Sequence, residues 1–203
     1  MSNAASDTQL AVRSTSAPSG AHVRSGWYGM WWLIATEAAL FGYLLFGYVY
    51  SLIQVSGPWP PDGGPSLKLA LPNTLILLAS SVAVVVAEKR ARRNDRTWLI
   101  GGLLIALVLG LIFIGVQLME WSDKPFSPTS HLYGSYYFTI TGFHMAHVVV
   151  GLLMLAALAV WALRGEFAQH CSEPVSIGAL YWHFVDAVWL VVFATFYLLP
   201  LLR

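Results

Sequence analysis

One cysteine, Cys171, is all the thiol this sequence holds. That excludes an intrachain disulfide framework and any site needing two thiolates from the chain, a dinuclear copper centre or an iron–sulfur cluster among them. Charge is equally scarce: 10% of the 203 residues are charged, where a soluble domain carries about 25%. With a formal net charge of +1, nothing argues for nucleic acid or an acidic substrate as partner. No internal repeat with matched Gly/Pro interruptions is visible, which lowers the case for an inverted-repeat transporter.

What fills the space is apolar. Hydrophobic residues make up 57% of the chain, with nine Trp, nine Tyr and ten Phe. Five apolar segments, about 27–52, 69–87, 98–119, 133–163 and 176–199, each approach the roughly 20 residues that cross a bilayer. The expected fold is an all-α integral membrane protein, a bundle of five transmembrane helices. Trp27, Tyr28, Trp31 and Trp32 read as an aromatic anchor at a membrane interface. The Pro/Gly-rich run from Pro58 to Pro65 reads as a rigid loop. Pro200 is expected to end the fifth span.

Residues 1–26, rich in Ser, Ala and Thr, are expected to form a disordered cytoplasmic tail rather than a secretory signal. Residues 27–203 form the helical domain. Arg13, Arg24, Lys89, Arg90, Arg92, Arg93, Arg96 and Arg164 fall on one side, and Lys68, Lys124 and Arg203 on the other. The positive-inside bias then puts the N-terminus in the cytoplasm and the C-terminus outside. The basic run Lys89–Arg96 reads as an ordinary cytoplasmic loop.

Each span carries polar groups, which are costly in hydrocarbon and need a partner or a purpose. The first has Thr36 and Glu37, read either as a carboxyl hydrogen-bonded to a neighbouring helix or as a proton-relay group. Asn73, Thr74, Ser80 and Ser81 read as helix–helix glue. Gly110, Phe113, Gln117 and Glu120 share one face of the third span. Gly110 permits close approach, while Gln117 and Glu120 are placed near the outer boundary within reach of water. The fourth span has His144 and His147, and the fifth has His183 and Asp186 three residues apart, on one helix face. A metal site from His144, His147, His183 and Asp186 is chemically possible. Histidines hydrogen-bonded to Glu37, Asp186 or backbone fit better, because no span supplies a denser ligand cluster. Trp182, Asp186 and Trp189 form one stripe suited to a packed protein or lipid contact.

Taken in order, these pieces resemble subunit III of the haem–copper respiratory oxidases, the cytochrome c oxidase and quinol oxidase family. The resemblance rests on Thr36-Glu37-Ala38-Ala39-Leu40-Phe41, on Asn73-Thr74-Leu75 with Ser80-Ser81, and on Gly110-Leu111-Ile112-Phe113 with Gln117 and Glu120-Trp121. It rests most specifically on Thr141-Gly142-Phe143-His144 with His147 and Gly151, and on Tyr181-Trp182-His183-Phe184-Val185-Asp186 with Val188-Trp189. Many members have seven spans, so five would correspond to a shorter bacterial form starting at the Glu-bearing helix.

The resemblance implies a non-redox subunit of a bacterial plasma-membrane terminal oxidase that reduces oxygen to water with proton pumping. Haem and copper would sit in partner subunits, with no cofactor or metal on this chain and no catalytic residue. It implies subunit I as main contact, subunit II nearby, structural phospholipids, and support of proton uptake and sustained turnover. Glu37 matches the family's carbodiimide-reactive carboxyl. Glu37, His147, His183 and Asp186 are expected to form a mid-membrane hydrogen-bond set beside subunit I. An accessory subunit of a nitric oxide reductase and an independent proton or ion transporter are the alternatives.

Overall fold

A computed structural model describes residues 19–57, 59, 60, 67–165 and 173–201, and its regular elements are all helical. They are α1 (Ser19–Gln54), α2 (Leu67–Ala91), α3 (Arg96–Ser122), α4 (Leu132–Arg164) and α5 (Glu173–Phe193). All five are long and apolar enough to cross a membrane. Helix suits segments of this length, since it satisfies every backbone amide within the segment where hydrocarbon offers no partner. Leucine, isoleucine and valine side chains stay exposed along α2, α3 and α4, as a lipid-facing surface requires.

The helices overrun the expected spans at most ends, and at α3 and α4 polar caps carry them past the apolar runs. α1 starts at Ser19, inside the stretch expected to be tail; residues 1–18 of that tail lie outside the described residues, as does Cys171. Asp95 accepts from the Trp98 amide to start α3, at 3.4 Å. His131 Nδ1 accepts from the Gly134 amide at 2.8 Å to start α4, satisfying amides that open each helix. α4 ends on Gly165, whose φ of 76° lies in the left-handed region that suits glycine. Arg96 reaches across from α3 and donates to the carbonyls of Ala162, at 2.8 Å, and Leu163. Part of the basic run is thus helix-capping apparatus.

The fifth span ends at Leu198, just ahead of Pro200. Pro200 lacks the N–H that would bond the Phe196 carbonyl, and its ring crowds that turn. The helix widens into a π-helical turn over Ala194–Leu198, followed by a 3₁₀ turn over Leu199–Leu201.

α5 packs against α1, α2 and α4, and α3 packs against α2 and α4. Cross-helix pairs such as Trp182–Ser80 and Trp189–Thr74 show α5 running antiparallel to α2. α1 is peripheral: Trp32 is 73% exposed and Tyr43 77%. Its C-terminal half is held by Tyr48, whose ring lies 4.6 Å from that of Phe196 and whose hydroxyl accepts from Trp59 Nε1 at 3.1 Å.

Candidate functional site

The polar groups of the spans are distributed along helix seams rather than gathered in one cleft. The longest seam joins α2 to α5. At one end, the Glu88 carboxylate accepts from Ser176 Oγ at 2.8 Å and from Arg92 Nη2 at 2.8 Å. Two turns along, Ser81 Oγ and His183 Nδ1 lie 2.7 Å apart. Trp182 Nε1 donates to Ser80 Oγ at 3.1 Å, and Trp189 Nε1 donates to Thr74 Oγ1 at 3.0 Å. Small hydroxyl residues on α2 therefore meet large ring donors on α5. Each contact satisfies a polar group that lipid would leave bare.

Trp182 is the centre of this seam. It is fully buried and touches three helices besides its own. Its ring fills space left by Gly110 on α3 and Gly151 on α4. A methyl group on Gly151 would stand 2.8 Å from Trp182 Cε3, and one on Gly110 would stand 3.0 Å from Cη2 and 2.6 Å from Leu152 Cδ2. Both glycines are required by close approach, not by backbone angle. The stripe of Trp182, Asp186 and Trp189 is a protein contact.

A second seam joins α1 to α4. His147 Nε2 and Glu37 Oε2 lie 2.9 Å apart, and His147 Nδ1 lies 2.7 Å from the Phe143 carbonyl. That carbonyl only accepts, so Nδ1 carries a hydrogen. The Glu37 side chain is 27% exposed and that of His147 14%. The neighbouring Thr36 hydroxyl donates back to the Leu33 carbonyl at 2.8 Å. Farther along the seam, Ser51 Oγ donates to Tyr136 OH at 3.1 Å.

The third group lies where α3 ends and α4 begins. Glu120 Oε1 accepts from Lys124 Nζ at 2.9 Å, from Tyr197 OH at 2.6 Å and from Tyr137 OH at 3.3 Å. Glu120 is 2% exposed and Gln117 1%. These two residues are not at a water-exposed boundary. Tyr133, Tyr137 and Tyr197 on the following helices cover the face they share with Phe113.

Three further expectations are corrected by the geometry. Glu37, His147, His183 and Asp186 do not form one set: the first two belong to the α1–α4 seam and the last two to α5 facing α2. Asp186 does not bond His183; its carboxyl looks toward the Ser81 hydroxyl, but neither oxygen has a hydrogen-bond partner of acceptable geometry. His144 bonds neither Glu37, Asp186 nor backbone. It is 1% exposed with both ring nitrogens unpartnered, held edge-on to Phe113 and tilted against Trp189 at 4.9 Å between centroids. Among the described residues, no three His, Cys, Asp or Glu side chains come together around a point where an ion could sit. His144, His147, His183 and Asp186 do not assemble a ligand set.

Residues 11–200 match the family model described as Cytochrome c oxidase subunit III. The chain belongs to that family. A cytochrome c oxidase subunit 3 from Synechocystis sp. is 34% identical over 198 residues, covering 93% of this chain and 84% of the relative. The human cytochrome c oxidase subunit 3 is 35% identical over 177 residues, covering 84% of this chain and 68% of the relative. That of Cyprinus carpio is 34% identical over the same length. The chain is thus a subunit III of a haem–copper oxidase, a multi-pass membrane protein in a catalytic complex with no catalytic centre of its own. The nitric oxide reductase and transporter alternatives find no support in these matches.

As a subunit III, the chain uses its motifs to pack. Sequence reasoning missed Lys124, Tyr137 and Tyr197 as partners of Glu120. Lys124 stands one turn after Glu120, which was a usable signal; the tyrosines had none, since their pairing depends on α3, α4 and α5 converging.

Proposed function

We propose that this chain is the non-redox structural subunit III of a bacterial terminal oxidase. In this reading it packs against subunit I, with subunit II nearby, binds structural phospholipids, and supports proton uptake and sustained turnover. Haem and copper reside in the partner subunits, and no cofactor binds here. The complex sits in the bacterial plasma membrane. The N-terminus, led by the 1–26 tail, lies in the cytoplasm and the C-terminus outside.

The observation that carries this reading is the use made of the polar residues. Ser80, Ser81, Thr74, Trp182, His183 and Trp189 join α2 to α5 by hydrogen bonds, and Glu37 with His147 joins α1 to α4. These groups fix helices against one another instead of surrounding a substrate. The exposed aromatic face of α1, with Trp31, Trp32, Tyr43 and Phe46, supplies apolar surface for lipid and for a partner helix. Glu37 and His147 anchor that helix to the bundle. His144 and Asp186 are packing residues of the α5 contact, and Gln117 and Glu120 belong to the lock at the far end.

Purification in mild detergent tests the reading. An affinity tag on this chain should bring down haem-containing oxidase subunits, with the haem spectrum of the complex unchanged when this chain is removed. Recovery of the chain alone, or with a Soret band of its own, would sink it.

A further inference from the structure

The carboxyl of Glu120 is used on one side only. Oε1 accepts from Lys124 Nζ, Tyr197 OH and Tyr137 OH, and Oε2 has no partner. A carboxylate offers about four lone-pair sites, two on each oxygen, and those on Oε2 find no donor within the chain. Beside it, both amide atoms of Gln117 and the hydroxyl of Tyr133 are also without partners. Gln117 faces the Tyr137 hydroxyl without a hydrogen bond of acceptable geometry, and the Tyr133 ring stacks on that of Tyr137 at 6.3 Å between centroids. Gln117 is 1% exposed and Tyr133 0%, so solvent and side chains of another protein have no open approach.

We propose that Gln117, Glu120 and Tyr133 bind one or more resident water molecules beneath Lys124. The donor and acceptor inventory selects the ligand. Glu120 Oε2 and Gln117 Oε1 need donors, Gln117 Nε2 needs an acceptor, and the Tyr133 hydroxyl can be either. A species that donates and accepts at once, and is small enough for an enclosed place, is water; buried waters make about three such bonds each. A cation is disfavoured because the Lys124 ammonium already sits on the carboxylate. An anion is disfavoured by the carboxylate itself. The bound water completes the shell of a carboxylate that joins α3 to α4 and, through Tyr197, to the π-helical turn after α5.

The test uses the intact oxidase complex. A cryo-EM map that resolves ordered waters should show density within hydrogen-bond distance of Glu120 Oε2 and the Gln117 amide. A dry site in a map with buried waters elsewhere, density for an acyl chain, or a direct Gln117–Glu120 hydrogen bond overturns the proposal. Gln117→Met removes both amide atoms with little change of volume. It should lower the apparent Tm of the complex, because a hydrated amide is lost. An unchanged or raised Tm overturns the proposal, since deleting unsatisfied buried groups costs nothing. If that variant does not accumulate, Tyr133→Phe reads the same quantity with one oxygen removed. A lower Tm supports the site, and an unchanged or higher Tm overturns it.

Discussion

Trp182 on α5 donates its indole hydrogen to Ser80 on α2 at 3.1 Å while its ring occupies the space above Gly151 on α4. One side chain thus fixes the distance from α5 to two neighbours. With no hydrophobic drive between helices in lipid, such close packing and interhelical hydrogen bonding carry the association. Trp182→Phe should destabilise the subunit in detergent by about 1–2 kcal/mol, through the lost bond and a partly filled gap. Gly151→Leu should do worse, because the added atoms meet a buried indole that has nowhere to turn. Thermal denaturation of the purified complex, read by loss of this subunit, measures both.

His144 offers the opposite expectation. Its nitrogens have no partners and its ring is sandwiched among Phe113 and Trp189. Replacing a buried group that makes no hydrogen bonds by an apolar ring of similar shape is neutral or stabilising. His144→Phe should leave the Tm equal to or above that of the parent. A marked loss would show that the imidazole has a bond that the packing does not reveal.

The Glu37–His147 pair joins a peripheral helix to the core and is partly open to its surroundings. Interhelical hydrogen bonds in membranes average about 0.6 kcal/mol in double-mutant cycles. The cycle of Glu37→Gln and His147→Phe should therefore give a coupling energy below about 1 kcal/mol. The effect should appear in retention of α1 rather than in folding of the remaining bundle, and limited proteolysis at the Pro-rich connection after α1 reads it.

Arg96 and Gly165 form a cap between α3 and α4. Arg96 donates to two terminal carbonyls, and Gly165 has a φ of 76°. Gly165→Ala should cost about 1–2 kcal/mol, the price of a left-handed residue with a Cβ. Arg96→Met should cost about 1 kcal/mol through uncovered carbonyls. Lys at position 96 should restore only part of this, since an ammonium cannot span both acceptors in a planar fork. Tm values of the three variants rank the contributions.

Much of this architecture is legible in the sequence because bilayer thickness and apolar run length are coupled. The five spans follow from composition, and Gly110, Ser80 and Ser81 announce close or hydrogen-bonded contacts by residue type. Helix ends are less legible: Asp95, His131 and Arg96 extend helices through side-chain caps that hydropathy does not register. Partners are the least legible. His183 and Asp186 share a face by spacing, yet His183 takes Ser81 from another helix, and Asp186 bonds neither. Glu120 looks interfacial because polar residues gather near span ends. Only the convergence of Tyr137 and Tyr197 from two later helices buries it.

On the proposed function, this subunit serves the oxidase by holding structure rather than by chemistry of its own. The most direct measurement is the time course of oxygen consumption by the complex with and without this chain. Equal haem content and a similar initial rate are expected, followed by a faster fall in activity during turnover when the chain is absent. A depleted complex whose activity lasts as long as the intact one, or whose haem content falls in proportion to this chain, would contradict the proposed function.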